Sequence, residues 1–595
     1  MKRLPIVSLL LLSLSAFTAH GQHTFAMHTH SGTAGNSVCV AGRYDGPISL
    51  YPPEQRGNLY HKVSTGNEDA QKFFNQGLTF FYGFDAESAM RSFNQAALLD
   101  PNLAMANWGI ALAAGGDLNI PINDPCMALA RAQMALAFQK IGSAGKPEQD
   151  YIDALAYRYA AHPGHANDDP FLDPQQLSVH YMLAMKTLYA TYGVNDPDLA
   201  SLYAYSLMNL RPWLWWTTSG KASEEIKAAI FVLEAGLRDP RFKNHIGLNH
   251  IYIHAMEEGP IALAPRAKPS ADFLLQSAPF ITPHLNHMPA HTYLLLGDWQ
   301  QVVAANTNAI KADQPWADAC APNPSAQSCN ALLVGHYYSH DMLFLDVALG
   351  NYGRWEAVRD LSNKLEANAL TFVGNEPGLE HYLTTKVMMT AHFGRWNDLA
   401  KIDPPQPDMP ALTDPQFCSK LKFKLAGSIW YFGQAMAHAS LGKPTDDDVY
   451  GFKLAQGCVQ GAGIGWGNNA GIDILNVVHW RMLERIARSK NELESATQYA
   501  LLAVETEDLL DYDEPPGWYV SSRETYGSAL FLGGFYGKAR DVFEEDLARR
   551  PNNSRSLYGR WKSLEAIGSG DAPQAKKDFY MYWDANAPLP NMQDM

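Results

Sequence analysis

The sequence predicts an all-α fold in which paired helices stack as a helical-repeat array, an α-solenoid. Three observations carry this expectation. Apolar residues recur near helical spacing along most of the chain, a helix–turn–helix pattern built on a glycine and an aromatic residue returns several times, and the period-two runs of strands are missing.

Taken in order, Lys2 and Arg3 precede a largely apolar run from Leu4 to Phe17, and Ala19 and Gly21 place small residues where a signal peptidase cuts. Residues 1–21 are therefore expected to be a signal peptide cleaved near Gly21, and the mature chain to be periplasmic or secreted. The run is short for a membrane span, and no later segment has the roughly 18 consecutive apolar residues of one. Residues 22–66 lack helical periodicity and read as an irregular N-terminal arm.

The first array, 67–240, opens with AQKFFNQGLTFFYGFDAESAMRSFNQAALLDPNLAMANW at 70–108. Gly77, Ala89 and Ala96 let two helices approach closely while Phe73, Phe80, Phe81 and Phe93 fill the space beside them, and Asp100-Pro101 ends one pair and begins the next. That is the layout of a tetratricopeptide (TPR) unit. The elbow recurs as LLLGDWQQV (294–302), YGRWEAV (352–358), FGRWNDL (393–399) and LGGFYGKA (532–539). In each, a glycine closes one helix where positive φ is needed and an aromatic packs under the next. These elbows divide the remainder into a His-rich TPR-like middle, 241–400, and a C-terminal TPR-like array, 401–595.

The formal net charge of −15 becomes −17 once Lys2 and Arg3 are removed, which disfavours nucleic acid or an anionic membrane as the main partner. Six cysteines in an exported chain read as structural disulfides, with buried free thiols as the alternative. Cys320 and Cys329, flanking a Pro/Ser loop, are expected to form one local bridge. No CxxC or CxxCH occurs, which disfavours a cysteine zinc site or an attached c-type haem.

Eight of the twenty histidines fall between positions 245 and 340. Three HxxxH pairs stand out: His250/His254, His287/His291 and His336/His340. An i,i+4 spacing puts two imidazoles on one helix face, where they can serve a single metal ion, and Glu257 shares the face of His254, with Glu258 nearly as well placed. The predicted ligands are thus His250, His254, Glu257, His287, His291, His336 and His340, sufficient for two ions if the helices are neighbours. The alternatives are a buried polar network and unrelated packing roles. His284, His340 and His381 each precede an elbow glycine by thirteen residues, which favours a helix-start role for those three. Imidazole with carboxylate suits a transition metal such as copper, iron or zinc. HExxH and HxxEH are absent, so peptidase chemistry is not indicated. A second cluster, His23, Met27, His28 and His30, is placed to capture metal or to be a polar tail.

From about 68 to 565 the chain resembles a large bacterial group of exported tetratricopeptide-repeat proteins. The strings that carry this are ANWGIALAAGGDLNI, LNHIYIHAMEEGP, HMPAHTYLLLGDW, LDYDEPPGWYVSSRE and LGGFYGKARDVFEEDLARRPNN. The resemblance implies that His250, His254, Glu257, His287 and His291 fill the group's His and Glu positions, and that Asp513, Glu514, Pro515, Pro516 and Trp518 form its acidic-Pro-Pro-Trp turn. The chain departs at His340-Asp341-Met342-Leu343, where a further histidine is expected, which weakens a complete second metal.

Three functions follow as expectations. The first is a metal-dependent oxidoreductase with Glu257 as ligand or catalytic proton acceptor and Trp213, Trp215, Trp216, Tyr252 and Tyr293 lining a groove for a small molecule or peptide. The second is a TPR scaffold whose concave groove binds a peptide or partner protein, with structural or no metal. The third is metal storage or delivery.

Overall fold

A computed structural model describes residues 37–163, 173–324, 326, 329–374 and 376–595. The signal segment and the His23–His30 cluster lie outside the described residues. Among the described residues the chain is helical: 27 α-helices run from Pro53–Arg56 to Ala572–Met581, joined by short 3-10 and π turns. Strand structure among the described residues is limited to a hairpin of Gly465–Trp466 with Asn469–Ala470 and one isolated bridge. The all-α expectation agrees. Most helices pack against their neighbours in sequence.

The opening helices show why. Asn67 caps Glu68–Tyr82 by accepting from the amides of Asp69 and Ala70, and Asp85 caps Ala86–Leu99 through Ser88. Phe93 is wholly buried between them and Ala104–Ala114. A Cβ on Gly77 or Gly109 would stand 2.7 or 2.5 Å from its ring, so both glycines are required by close approach. The arrangement returns 450 residues later, where Phe543 fits between Gly527 and Gly559 with the same sixteen-residue spacings.

The elbow glycines do more than end helices. Gly297 has φ +65°, and a Cβ there would lie 2.2 Å from the Pro551 carbonyl oxygen; at Gly353 it would lie 2.4 Å from Trp583. Asn552 Nδ2 donates to the Gly297 carbonyl (3.1 Å), the Ser554 amide to Asn351 (2.9 Å), and the Asp584 amide to the Tyr352 carbonyl (3.0 Å). Residues 551–584 are thus docked onto the elbows of the middle segment. The largest apolar core extends from Cys39 to Ala348, crossing position 240 without a break.

Between 37 and 66 the only helix has four residues, and side chains fasten the rest down. Arg43 pairs with Glu87 (2.9 Å), and the Tyr51 amide donates to Gln76 (2.8 Å). All six cysteines are bridged: Cys39–Cys126, Cys320–Cys329 as expected, and Cys418–Cys458, leaving no free thiol.

Two predictions arise here. By loop closure, bridges spanning 87, 40 and 9 residues should contribute about 4.6, 3.9 and 2.6 kcal/mol. Denaturant unfolding of the three paired Cys→Ser variants is expected to follow that order, Cys39/Cys126 losing most. The second concerns Glu380, whose carboxylate accepts from the amides of Leu425 (2.6 Å) and Ala426 (3.1 Å) at the start of the Lys424–Ser440 helix. Burial pushes its pKa up to about 7, against the opposing effect of those amides. Because the folded value lies above the unfolded one, its contribution is full below pH 4.5 and is lost as pH rises through 7. Glu380→Gln should therefore flatten the stability-versus-pH curve between those limits by on the order of 3 kcal/mol, read from urea midpoints.

Candidate metal centre

Four helical segments bring the histidines together. Every residue of Ile246–Glu257 is buried, so His250 and His254 project from a helix surrounded by protein. Pro283 and Pro289 sit in the first turns of two short helices, Pro283–His287 and Pro289–Leu296, whose junction at Met288 sets His284, His287 and His291 along one side. His340 comes from Tyr338–Asn351.

The result is two groups of three imidazoles, each able to hold a metal ion, with one ring nitrogen per residue within 4.8 Å of the others. The first is His250, His254 and His284, with ring centroids 4.7, 4.9 and 5.8 Å apart. The second is His287, His291 and His340, at 4.7, 4.7 and 5.8 Å. The groups adjoin: His254 lies 6.2 Å from His291, and His284 6.1 Å from His287. A phenylalanine braces each group. Phe84 lies 4.6, 5.5 and 5.0 Å from the first three rings, and Phe344 lies 4.7, 5.0 and 4.9 Å from the second three. Phe84 has φ +56°, a strained conformation for a bulky residue, adopted where its ring packs on three histidines.

Hydrogen bonds set which ring nitrogen faces the centre. Glu257 accepts from His254 Nδ1 (2.7 Å) through one oxygen, and its other oxygen lies at ion-pair distance from His291 Nδ1 (2.8 Å). Glu514 also pairs with His291 Nδ1. His287 Nδ1 donates to Asn306 Oδ1 (2.7 Å), whose amide is oriented by its own bond to the Val302 carbonyl, and lies 3.1 Å from Asp341. With Nδ1 protonated, His254 and His287 turn Nε2 toward the centre, the arrangement in which outer-shell acceptors orient metal-binding imidazoles. His254 Nε2 and both nitrogens of His284 are buried without a hydrogen-bond partner, and His250 has only the Tyr82 carbonyl nearby, outside normal geometry. His287 Nε2 and His291 Nε2 face each other at 2.7 Å, where two lone pairs would repel unless a proton or a metal ion lies between.

Charge follows this geometry. Burial, then the neighbouring imidazoles, holds His250, His284, His287 and His340 well below the ordinary histidine value, so they are neutral and able to bind metal. His291 is the exception: burial alone would lower it, but Glu514 and Glu257 raise it to about 10. Burial would raise Glu257, yet His254 and His291 bring it down to about 2. Burial pushes Glu514 up to about 7 despite His291.

The two groups open on a cavity of ≈ 440 Å³ whose wall includes His254, His284, His291, His340, Glu514 and Trp213. Trp213, also at positive φ (+60°), sits 6.0 Å from His254 and stacks on Tyr512.

Several expectations change. His336 belongs to neither group: residues Leu333–Tyr337 form a π-helical turn, so His336 and His340 no longer share a face, and His336 lines the cavity instead. His284, expected to serve a helix start, completes the first group; the HxxHxxxH spacing of His284, His287 and His291 was the available signal. Glu257 lies behind two imidazoles and is not part of the cavity wall, whereas Glu514 is. Glu258 faces away, accepting from the Trp215 amide (3.0 Å). Of the five expected groove aromatics only Trp213 lines the cavity: Trp215, Tyr252 and Tyr293 are buried, with Tyr252 and Tyr293 bonded to Glu234 and Asp272, and Trp216 donates to the Ala255 carbonyl. Glu257, His291 and Glu514 form an alternative three-residue grouping around His291 Nδ1. His245 joins a different network, with His61 and Tyr82 on Asp198, in which each has a protein partner.

No family model matches the chain, and a search of the curated proteins finds no match to it. No helix among the described residues is long and apolar enough to cross a membrane.

Metal analysis of variants tests the grouping. His254→Ala and His284→Ala should each remove the first ion and His291→Ala the second, with helical circular dichroism preserved. His336→Ala should leave metal content intact. Asn306→Leu, which removes the acceptor behind His287, should weaken metal affinity about 10–100-fold.

Proposed function

We propose that this chain is a metal-dependent oxidoreductase with a dinuclear copper centre, one ion in each three-histidine group. The observation that supports it is the pair of adjoining imidazole triads opening on one cavity. Imidazole as the only ligand type, without thiolate or carboxylate in either triad, suits copper, and copper alternates between two oxidation states where zinc does not. Two such ions supply a two-electron couple. Dioxygen is the co-reactant: two substrate molecules each give up two electrons and two protons, and one dioxygen takes them to become two waters.

The chain's own groups have definable tasks. Glu257 and Asn306 orient imidazoles, Phe84 and Phe344 exclude water from the faces of the rings, and the cavity has the volume to admit a small organic molecule. Glu514 is the proton acceptor, in place of Glu257. It stands at the cavity wall, within reach of a molecule in the cavity, whereas Glu257 does not. The resemblance to exported TPR proteins agrees with this placement, since its acidic-Pro-Pro-Trp turn carries Glu514.

Protein purified without chelator should contain two copper ions per chain, and the oxidised form should be silent in electron paramagnetic resonance because adjacent Cu(II) ions couple. His284→Ala, left with one ion, should show a mononuclear signal. Two zinc ions bound in preference to copper, or a full mononuclear Cu(II) signal from the unaltered protein, would reject the redox assignment.

A further inference from the structure

The turn that presents Glu514 to His291 has a second face. Four residues on, Trp518 is buried to 2 % exposure against a small cavity on the other side. That cavity, ≈ 10 Å³, lies among Thr385–His392, Lys424–Ser440, Gly471–Ser489 and Ser522–Leu532. Its volume is that of about one water-sized sphere.

Unsatisfied donors converge on it. Arg481 Nε and Nη1, Arg485 Nε and Trp518 Nε1 are buried without a hydrogen-bond partner, and the two arginines are only 6 % and 4 % exposed. Leaving even one such group unpaired is costly, and a buried guanidinium needs a counter-charge. The carboxylates of the cavity wall are engaged elsewhere, and Glu484, which acts on Arg481 electrostatically, is outside the wall. Glu524 binds Arg555 (2.9 Å) and Asn553 (2.8 Å), Glu484 binds Arg488 (2.5 Å), and Asp594 accepts from the Trp396 indole (2.9 Å). Burial lowers Arg481 to about 10 and Arg485 to about 9, which leaves both charged at neutral pH. His392, also at the wall, is held well below its usual value by burial and by Arg555, Arg481 and Arg550, so it adds no second positive charge.

We infer that this cavity is a binding site for a small monovalent anion of chloride size, held by Arg481, Arg485 and the Trp518 indole. A water molecule would accept from these donors but brings two protons of its own into a wall whose carboxylates are already engaged. An anion accepts from all of them and neutralises a guanidinium. Its position behind Trp518 makes it a prop for the turn from Asp513 to Trp518, and through that turn for Glu514, without contact with the histidine triads.

The test uses full-length, metal-free protein, so that its outcome is independent of the copper assignment. Sodium chloride is exchanged for sodium gluconate at constant ionic strength and thermal unfolding is followed. Above the dissociation constant, the midpoint should rise by roughly 1 °C for each tenfold increase in chloride. Arg481→Met should abolish that dependence. Should this variant fail to fold, crystals of the unaltered protein grown in bromide provide the second measurement, with an anomalous peak expected within reach of Arg481 and Trp518. Midpoints equal across the chloride series, or a cavity holding water alone in bromide, would overturn the assignment.

Discussion

The centre depends on one carboxylate. Glu257, on the last turn of a wholly buried helix, accepts from His254 Nδ1 and is ion-paired with His291 Nδ1, two histidines that belong to different triads. This single contact does three things. It assigns the tautomer of His254, turns that ring's Nε2 inward, and links the triads by tying the Ile246–Glu257 helix to Pro289–Leu296. A buried carboxylate is stable in this position only because its two imidazole partners offset the cost of desolvation, which is the origin of its low pKa. Charge and geometry are therefore one constraint: shifting either helix would leave an ionised group buried and unpaired.

The surrounding fold holds that constraint in place. Strained residues occur where the pocket requires them, Phe84 and Trp213 both adopting positive φ beside His254. The Asp513–Trp518 turn, from a distant part of the chain, completes the arrangement by bringing a second carboxylate to His291. Residues as far apart as 84, 254, 340 and 514 thus meet at one centre, which explains why the long-range contacts matter more to the site than any local element.

Legibility in the sequence followed the range of the interaction. Helix content, caps and elbows are local, and the HxxxH pairs at 250/254 and 287/291 were readable because α-helical spacing converts directly into a shared face. The failures came where that conversion broke. The π turn at Leu333–Tyr337 added a residue to the turn and removed His336 from the set, while His284 was obscured by a plausible helix-start role. Nothing local marks Phe84, Phe344 or Asn306 as the packing and outer-shell partners of these rings, since each meets them only through tertiary packing. Glu514 was visible only through the motif it belongs to. The disulfide of a nine-residue loop was legible, whereas Cys39–Cys126 and Cys418–Cys458 required the folded chain.

The docking of residues 551–584 on the elbows at Gly297 and Gly353 bears on how this architecture can vary. A row of helix pairs with a free end can be lengthened or shortened by whole pairs, since each added pair needs only the face of the one before it. Here the end is occupied. The backbone of Pro551 and the ring of Trp583 fill the space that a side chain on either glycine would need. Gain or loss of a helix pair between positions 353 and 551 would move those groups out of register with their seats. The number of pairs in that interval is therefore held by the molecule's closure on itself, and variation between descendants of this chain is directed to its loops.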